Sequence, residues 1–376
     1  MSFRKNNIIL FVAICLAMKF MPGPASAQVS GKVGLAGQYD SNAYNDTYGG
    51  GSLAGSASLD LSADFGLPLG GILLGADYSG GYCGYLSYLG ISQTDHQAKA
   101  LLWHPLGEDG FLGAGVSLSM LANAADRSAY NTGSLKAVAE AKAYPAGWLL
   151  LRMDGSWGGY KYFNLSRYNF DLLGLNGSAT AFLSSRTTFR GFVSLKDYRF
   201  SPQPSDSQVP TRITNLSPGL RISQGMGGWL GMAVEFVYLD NQLDHNSDNY
   251  QPDTLLNEVN EYFDYRGSRA LAKLSIITGP DSRLDLWSSH TVRDYSELQA
   301  MGLPSSQFAS ILSRQPTGEM RQDRETELGA DFTAPLLQES QKLYLNLGAS
   351  YDRNLSNDKL YDYGKLLFYG GITLNF

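Results

Sequence analysis

Four histidines stand in this 376-residue chain: His96, His104, His245 and His290. Two of them directly follow an acid, as Asp95-His96 and Asp244-His245. An imidazole held by a carboxylate is a common device for moving a proton in hydrolysis. Adjacency in sequence does not make that device, because neighbours on a strand point to opposite faces. No serine stands with a histidine in a hydrolase-like pattern. Without a complete constellation, hydrolysis is the weakest functional reading, and the chain reads as a non-enzyme. Cofactors are expected to be none: there is no haem-attaching CxxCH, phosphate-binding glycine loop, calcium-binding loop or zinc spacing. The formal charge is −6 and no basic cluster occurs, which excludes a nucleic-acid partner.

The stronger chemical signal is charge set on one face of a strand. In "SLAGSASLDLSADF", Leu53, Ala57, Leu59, Leu61, Ala63 and Phe65 alternate with Ser56, Ser58, Asp60, Ser62 and Asp64. Period-two alternation marks a strand with one apolar and one polar face. "KLYLNLGASYDRN" repeats it through Leu343, Leu345, Leu347, Ala349 and Tyr351. The pattern predicts sixteen strands, beginning with 29–39, 51–65, 71–83, 95–104, 111–121, 134–144, 148–162 and 169–183. They continue over 188–200, 211–223, 228–240, 262–277, 282–294, 324–334, 342–352 and 361–376. Pro105 and Pro218 disturb two of these, which leaves 14 or 18 strands open.

The connections alternate as well. "GLPLGG", "PLGEDG", "YPAG", "SSRT", "QGMGG", "TGPDS" and "PLLQESQ" are short turns, and longer polar connections fall between them, notably 241–261 and 295–323. Short periplasmic turns and long outer loops are the pattern of an all-β, antiparallel, up-and-down transmembrane barrel. A soluble β-sandwich alternates too, but the strand lengths and the regular loop asymmetry favour the barrel.

The N-terminus places the chain in an exporting context. "MSFRKNNIILFVAICLAMKFMPGPASAQ" has Arg4 and Lys5, an apolar run from Ile8 to Met18, and Ala25-Ser26-Ala27 before Gln28. That is the form of a cleaved signal peptide over 1–27. The run is too short for a spanning helix, which needs about 20 residues, and Ile14 before Cys15 does not suit a lipoprotein site. Cleavage leaves Cys83 alone, so no internal disulfide forms, and residues 28–376 read as one barrel domain. With a mean hydropathy of −0.18 and no long apolar helix, this chain can cross a membrane only as a closed barrel.

The chain closes on "LLFYGGITLNF", where Leu366, Phe368, Gly370, Ile372, Leu374 and Phe376 occupy alternate positions. "YGGITLNF" resembles the C-terminal β-signal of Gram-negative outer-membrane β-barrel proteins, matching at Gly371, Leu374 and Phe376, with Tyr369 where that family often has a polar residue. The resemblance implies residence in the outer membrane, with its lipid and the barrel-assembly machinery as partners. Over nine residues only, "GLAGQYDSN" is similar to first strands of barrels in secretion and polysaccharide-export systems.

On this reading the polar strand faces line a lumen. Arg152, Arg190, Arg221, Arg269, Lys273, Arg283 and Arg293 are candidate lining residues, with Arg212 and Lys99 among further bases. Asp60, Asp64, Asp77, Glu140, Asp154, Glu235, Asp285, Glu325, Glu327 and Asp331 are the acids. A slightly basic channel for solutes or an exported polymer is the leading expectation, and mutual neutralisation of cross-strand pairs such as Arg283 and Asp285 the simpler one. A barrel sleeve for a partner, such as polysaccharide-export machinery or a periplasmic cytochrome, is the alternative. Tyr78, Tyr82, Tyr85, Tyr88, Tyr160, Tyr162, Tyr198, Tyr238, Tyr262, Tyr265, Tyr361 and Tyr363 lie near outer strand ends, and Trp103, Trp148 and Trp229 near the turns, as interfacial girdles would. Stacking on sugars is the other use for such rings. Leu298, Met301, Phe308, Ile311 and Leu312 around Pro304 mark a connection that either folds into the pore or stands outside it.

Overall fold

The computed structural model describes residues 28–43, 50–67, 71–87, 92–201, 210–244, 264–302, 315–337 and 342–376. The leader over 1–27 lies outside the described residues, as do Tyr88, His245, Tyr262, Pro304, Phe308, Ile311 and Leu312. The first eight strands are β1 Gln28–Asp40, β2 Ser52–Gly66, β3 Leu73–Tyr85, β4 Gln93–Leu106, β5 Gly110–Asn123, β6 Thr132–Ala146, β7 Leu149–Tyr162 and β8 Phe170–Phe182. The rest are β9 Thr187–Phe200, β10 Arg212–Met226, β11 Leu230–Asp244, β12 Tyr265–Gly279, β13 Ser282–Met301, β14 Pro316–Pro335, β15 Lys342–Ser356 and β16 Tyr363–Asn375. Every predicted strand is present. Each pairs antiparallel with its sequence neighbours, and β1 pairs with β16 to close the barrel.

Alternation sorts the side chains. Val33, Leu118, Trp157, Val234, Leu328 and Phe368 are among the large apolar groups left exposed, and all share the outward face. A closed belt of apolar groups is the surface a barrel shows to lipid. Charges on that face stand only at the outer strand ends, where Asp197 accepts from Arg212 at 2.6 Å and Arg199 at 2.9 Å, and Arg266 meets Asp240 at 3.3 Å. Mid-belt, an Arg or Lys would cost about 2–4 kcal/mol. Arg212 belongs to this collar and not to the lumen, because its neighbour Ile213 holds the inward position.

The inner turns are tight. Gly107, Arg186, Gly227 and Asp281 take positive φ within them, which lets two or three residues reverse the chain. The outer connections differ from the sequence expectation. β13 runs on to Met301 and β14 begins at Pro316, so most of 295–323 is strand, and β11 likewise absorbs 241–244. Above the belt neither face meets lipid, so Ser296, Glu297, Thr317 and Glu319 carry no apolar alternation to reveal the strand.

The seam ends at the last residue. Phe376 N–H donates to the Gly31 carbonyl at 2.9 Å, and Gly31 N–H donates to the Phe376 carbonyl at 2.8 Å. The Phe376 ring lies over Gly31 so closely that a Cβ there would overlap it. Gly31→Val and Phe376→Ala should each lower the fraction of barrel that runs as the folded, heat-modifiable band on gels. Because the two residues touch, the double variant should lose less than the sum of the singles, with a coupling of about 0.5–3 kcal/mol. Strict additivity would show that the stacking plays no part in closure.

Candidate functional site

The inward face of the closed wall is a large concave surface, so the site is built from its residues. Sixteen strands enclose an aqueous lumen, whereas about eight fill their own interior. Among the described residues every helix and strand belongs to the wall or its rim. No helix among them is long and apolar enough to cross a membrane.

Register places all seven predicted lining bases inward. Lys142 is the direct cross-strand partner of Arg152, and Arg190 that of Arg221. Arg221 and Arg269 share Glu235, at 3.6 and 3.4 Å. Lys273 and Arg283 share Asp285, at 3.1 and 3.0 Å. Arg293 meets Glu325 at 3.1 Å, and Lys99 pairs with Glu140. Neutralisation therefore holds from β10 to β14. On β6–β9 Glu140 pairs with Lys99, while Lys142 lies over the Tyr144 ring and Arg190 over the Phe192 ring. Further inward acids are Asp331 and Glu327 on β14, Asp352 on β15, Asp60 and Asp64 on β2, and Asp77 on β3, while Glu140 and Asp154 face each other on β6 and β7 beside Lys142 and Arg152.

The aromatic rings divide between two roles. Tyr78, Tyr82 and Tyr238 face outward, and Trp148 and Trp229 are exposed near the turns, as the girdle reading requires. Tyr85, Tyr160, Tyr162, Tyr198, Tyr265, Tyr363 and Trp103 instead take inward positions. Tyr168, Phe170, Leu172, Tyr198, Phe200 and Ile213 pack into a buried ledge at the outer mouth, with Tyr160 stacked on Phe170 at 5.0 Å. These rings are spent on one another, so the ledge narrows the mouth and offers little face for stacking a sugar. His96 faces outward and bonds Tyr78 at 2.9 Å, while Asp95 faces inward, so they form no proton-transfer pair.

Two constellations escaped the sequence reading. Arg321, 1% exposed, meets Asp323 through two nitrogens at 3.0 and 2.6 Å and is sandwiched between Tyr361 at 3.6 Å and Tyr295 at 4.8 Å. Ser356 and Tyr295 also donate to Asp323, at 2.7 and 3.2 Å. This knot ties the outer ends of β13, β14 and β15 to the Tyr361 connection. It was missed because Arg321 falls in a stretch read as loop. Deeper in, Trp287 donates to Asp331 at 2.9 Å and Tyr369 donates to its other oxygen. Each ring crosses a glycine to get there, Trp287 over Gly329 and Tyr369 over Gly348. Tyr369, noted as an oddity of the closing segment, is therefore a lumen hydrogen-bond donor.

No protein-family model and no curated protein matches this sequence. Solved structures match its fold. A doubly substituted OccD1 (OprD) superposes with a TM-score of 0.50 over 95% of this chain and 99% of that one, at 11% identity. OprD from Pseudomonas aeruginosa gives 0.49 at 10% identity, over 94% of each chain. The outer-membrane protein OpdK from Pseudomonas aeruginosa gives 0.48 at 11% identity, over 93% of this chain and 99% of its own. The fold is that of an outer-membrane porin barrel.

Losing one partner of a buried ion pair strands the other, which costs about 3–5 kcal/mol. Asp323→Ala should therefore destabilise the barrel by about that amount in urea unfolding from lipid vesicles, followed by tryptophan fluorescence. Arg321→Met/Asp323→Leu, which removes both charges, should recover most of the loss.

Proposed function

We propose that this chain is an outer-membrane channel that passes small solutes and favours anions. The observation that carries the reading is the pairing of base with base on β6–β10: Lys142 beside Arg152, and Arg190 beside Arg221. Like charges directly opposite one another in a sheet are destabilising, by up to about 1 kcal/mol each. Among the described residues Lys142, Arg152 and Arg190 form no ion pair, whereas Arg221 meets Glu235 and the bases of β12 and β13 meet Asp285. Charge on a lining of this kind tunes which ions pass. The closed sixteen-stranded wall, its apolar belt and its likeness in fold to the OprD barrel support placing that lumen in the outer membrane.

The purified barrel in a planar bilayer should show discrete conductance steps and a reversal potential on the anion side in a potassium chloride gradient. Arg152→Glu/Arg190→Glu should shift the chloride-to-potassium permeability ratio toward cations by about twofold or more. Asp60→Ser should move it the opposite way. A barrel that inserts but never conducts would sink the channel reading, and a ratio indifferent to both variants would sink the anion preference.

A further inference from the structure

A compact carboxylate cluster stands on the lumen face of β14 and β15. Glu325, Glu327 and Asp352 each bring an oxygen within 4.8 Å of the other two. Carboxylates this close repel one another unless a proton or cation sits among them. Their neighbours hold one oxygen of each. Arg293 donates to Glu325 Oε2 at 3.1 Å, Ser289 to Glu327 Oε2 at 3.1 Å, and Tyr363 to Asp352 Oδ2 at 3.3 Å. Fixing one oxygen of a carboxylate fixes the direction of the other.

Two further atoms point to a missing ligand. Asp352 Oδ1 is buried with no hydrogen-bond partner. Asn354, the cross-strand partner of Glu325, is 5% exposed, and its Oδ1 is also buried and unpartnered. Its amide nitrogen is turned outward to the Tyr361 carbonyl at 2.7 Å. On a planar amide the carbonyl oxygen then faces away from Tyr361, on the residue next along the lumen face from Asp352 and across the ladder from Glu325. A buried polar atom left unmatched costs about 1–3 kcal/mol, and two beside a carboxylate cluster ask for one positive partner. Lys365, the cross-strand partner of Asp352, also meets Asp40 at 3.0 Å, so its charge is shared between the two acids.

We propose that Glu325, Glu327, Asp352 and Asn354 form a calcium-type divalent cation site in the lumen wall. The donors are all oxygen, three anionic and one amide, which suits a hard cation completed by water. With no histidine or cysteine in the set, zinc is disfavoured. Strands hold the four at loose and unequal spacings, which calcium tolerates better than magnesium, with its demand for a small regular octahedron. The bound ion cancels charge on β14 and β15 and shifts the balance of the lumen toward the bases of β6–β10.

The test is calcium chloride titration of the chelator-stripped, folded barrel by calorimetry, with terbium luminescence excited through Tyr363 as the second readout. One calcium per barrel is expected, with a Kd of about 10⁻³ M or tighter. Asp352→Asn and Glu327→Gln should each weaken binding about tenfold or more, while Asp77→Asn on the same wall should leave it unchanged. Heat-modifiable migration confirms that each variant has folded. Tyr363→Phe keeps every ligand and should weaken calcium only mildly. Absence of calcium binding by the unsubstituted barrel overturns the site, as does equal binding by Asp352→Asn and Glu327→Gln. A shift of reversal potential toward chloride on adding calcium, lost in Asp352→Asn, separates this site from the basic wall.

Discussion

Closure of the hydrogen-bond ladder between β1 and β16 is the condition on which everything else here rests. In hydrocarbon an unpaired backbone group costs several kcal/mol, so a sheet with free edges has no place there. Nine residue pairs from Lys32–Asn375 to Asp40–Leu367 close the ring. The strands meet at small residues: Gly371 faces Ala36 and Gly370 faces Gly37. A Cβ at Gly371 would run into the Leu35 carbonyl and the Ala36 side chain. Glycine at this point is a packing requirement of the seam.

Once the ring is closed, strand geometry leaves each side chain only two destinations. Lipid excludes charge from one of them, so nearly every strand charge goes to the lumen or the outer collar. The lumen then has to manage what it receives. On β10–β14 it does so by sharing, with Glu235 and Asp285 each serving two bases. On β6–β9 Glu140 pairs with Lys99, and Arg152 and Arg190 form no ion pair among the described residues. The same economy explains the outer knot, where Arg321 is buried against the Asp323 carboxylate and between the Tyr295 and Tyr361 rings.

The strands and their two faces were legible in the sequence because lipid and water impose opposite demands on successive residues. "SLAGSASLDLSADF" records both solvents at once. That contrast ends at the belt's outer edge, and legibility ends with it. Ser296 to Met301 and Pro316 to Asp323 are strand without alternation, so the knot around Arg321 was read as loop. Aromatic rings at strand ends were ambiguous for the same reason, since an interfacial girdle and a lumen ledge draw on the same residue types. Parity counted from mid-strand separates them: Tyr238 shares a face with Phe236, whereas Tyr160 shares one with Arg152. Glu325 and Glu327 were read as lining, but Asp352 sat at the predicted end of its strand. The convergence of the three depends on a register between β14 and β15 that no single strand encodes.

The two flanks of the closing strand are not equally held. On the β15 side, Tyr369 reaches across Gly348 to Asp331, and Asn346 donates to Thr373 at 2.9 Å, so side chains bind β16 to both β15 and β14. Charge-assisted hydrogen bonds of the first kind contribute about 1.5–3 kcal/mol each. On the β1 side, the middle of the seam offers glycine and alanine, which hold the strands by backbone alone. Apolar contacts flank that middle, from Val33 with Leu374 to Tyr39 with Phe368. Side chains act at the two ends of the seam, where Lys365 meets Asp40 at 3.0 Å at the outer one. At the inner one stands Phe376, bonded twice through its backbone to Gly31 and lying over the one residue type that leaves room for its ring.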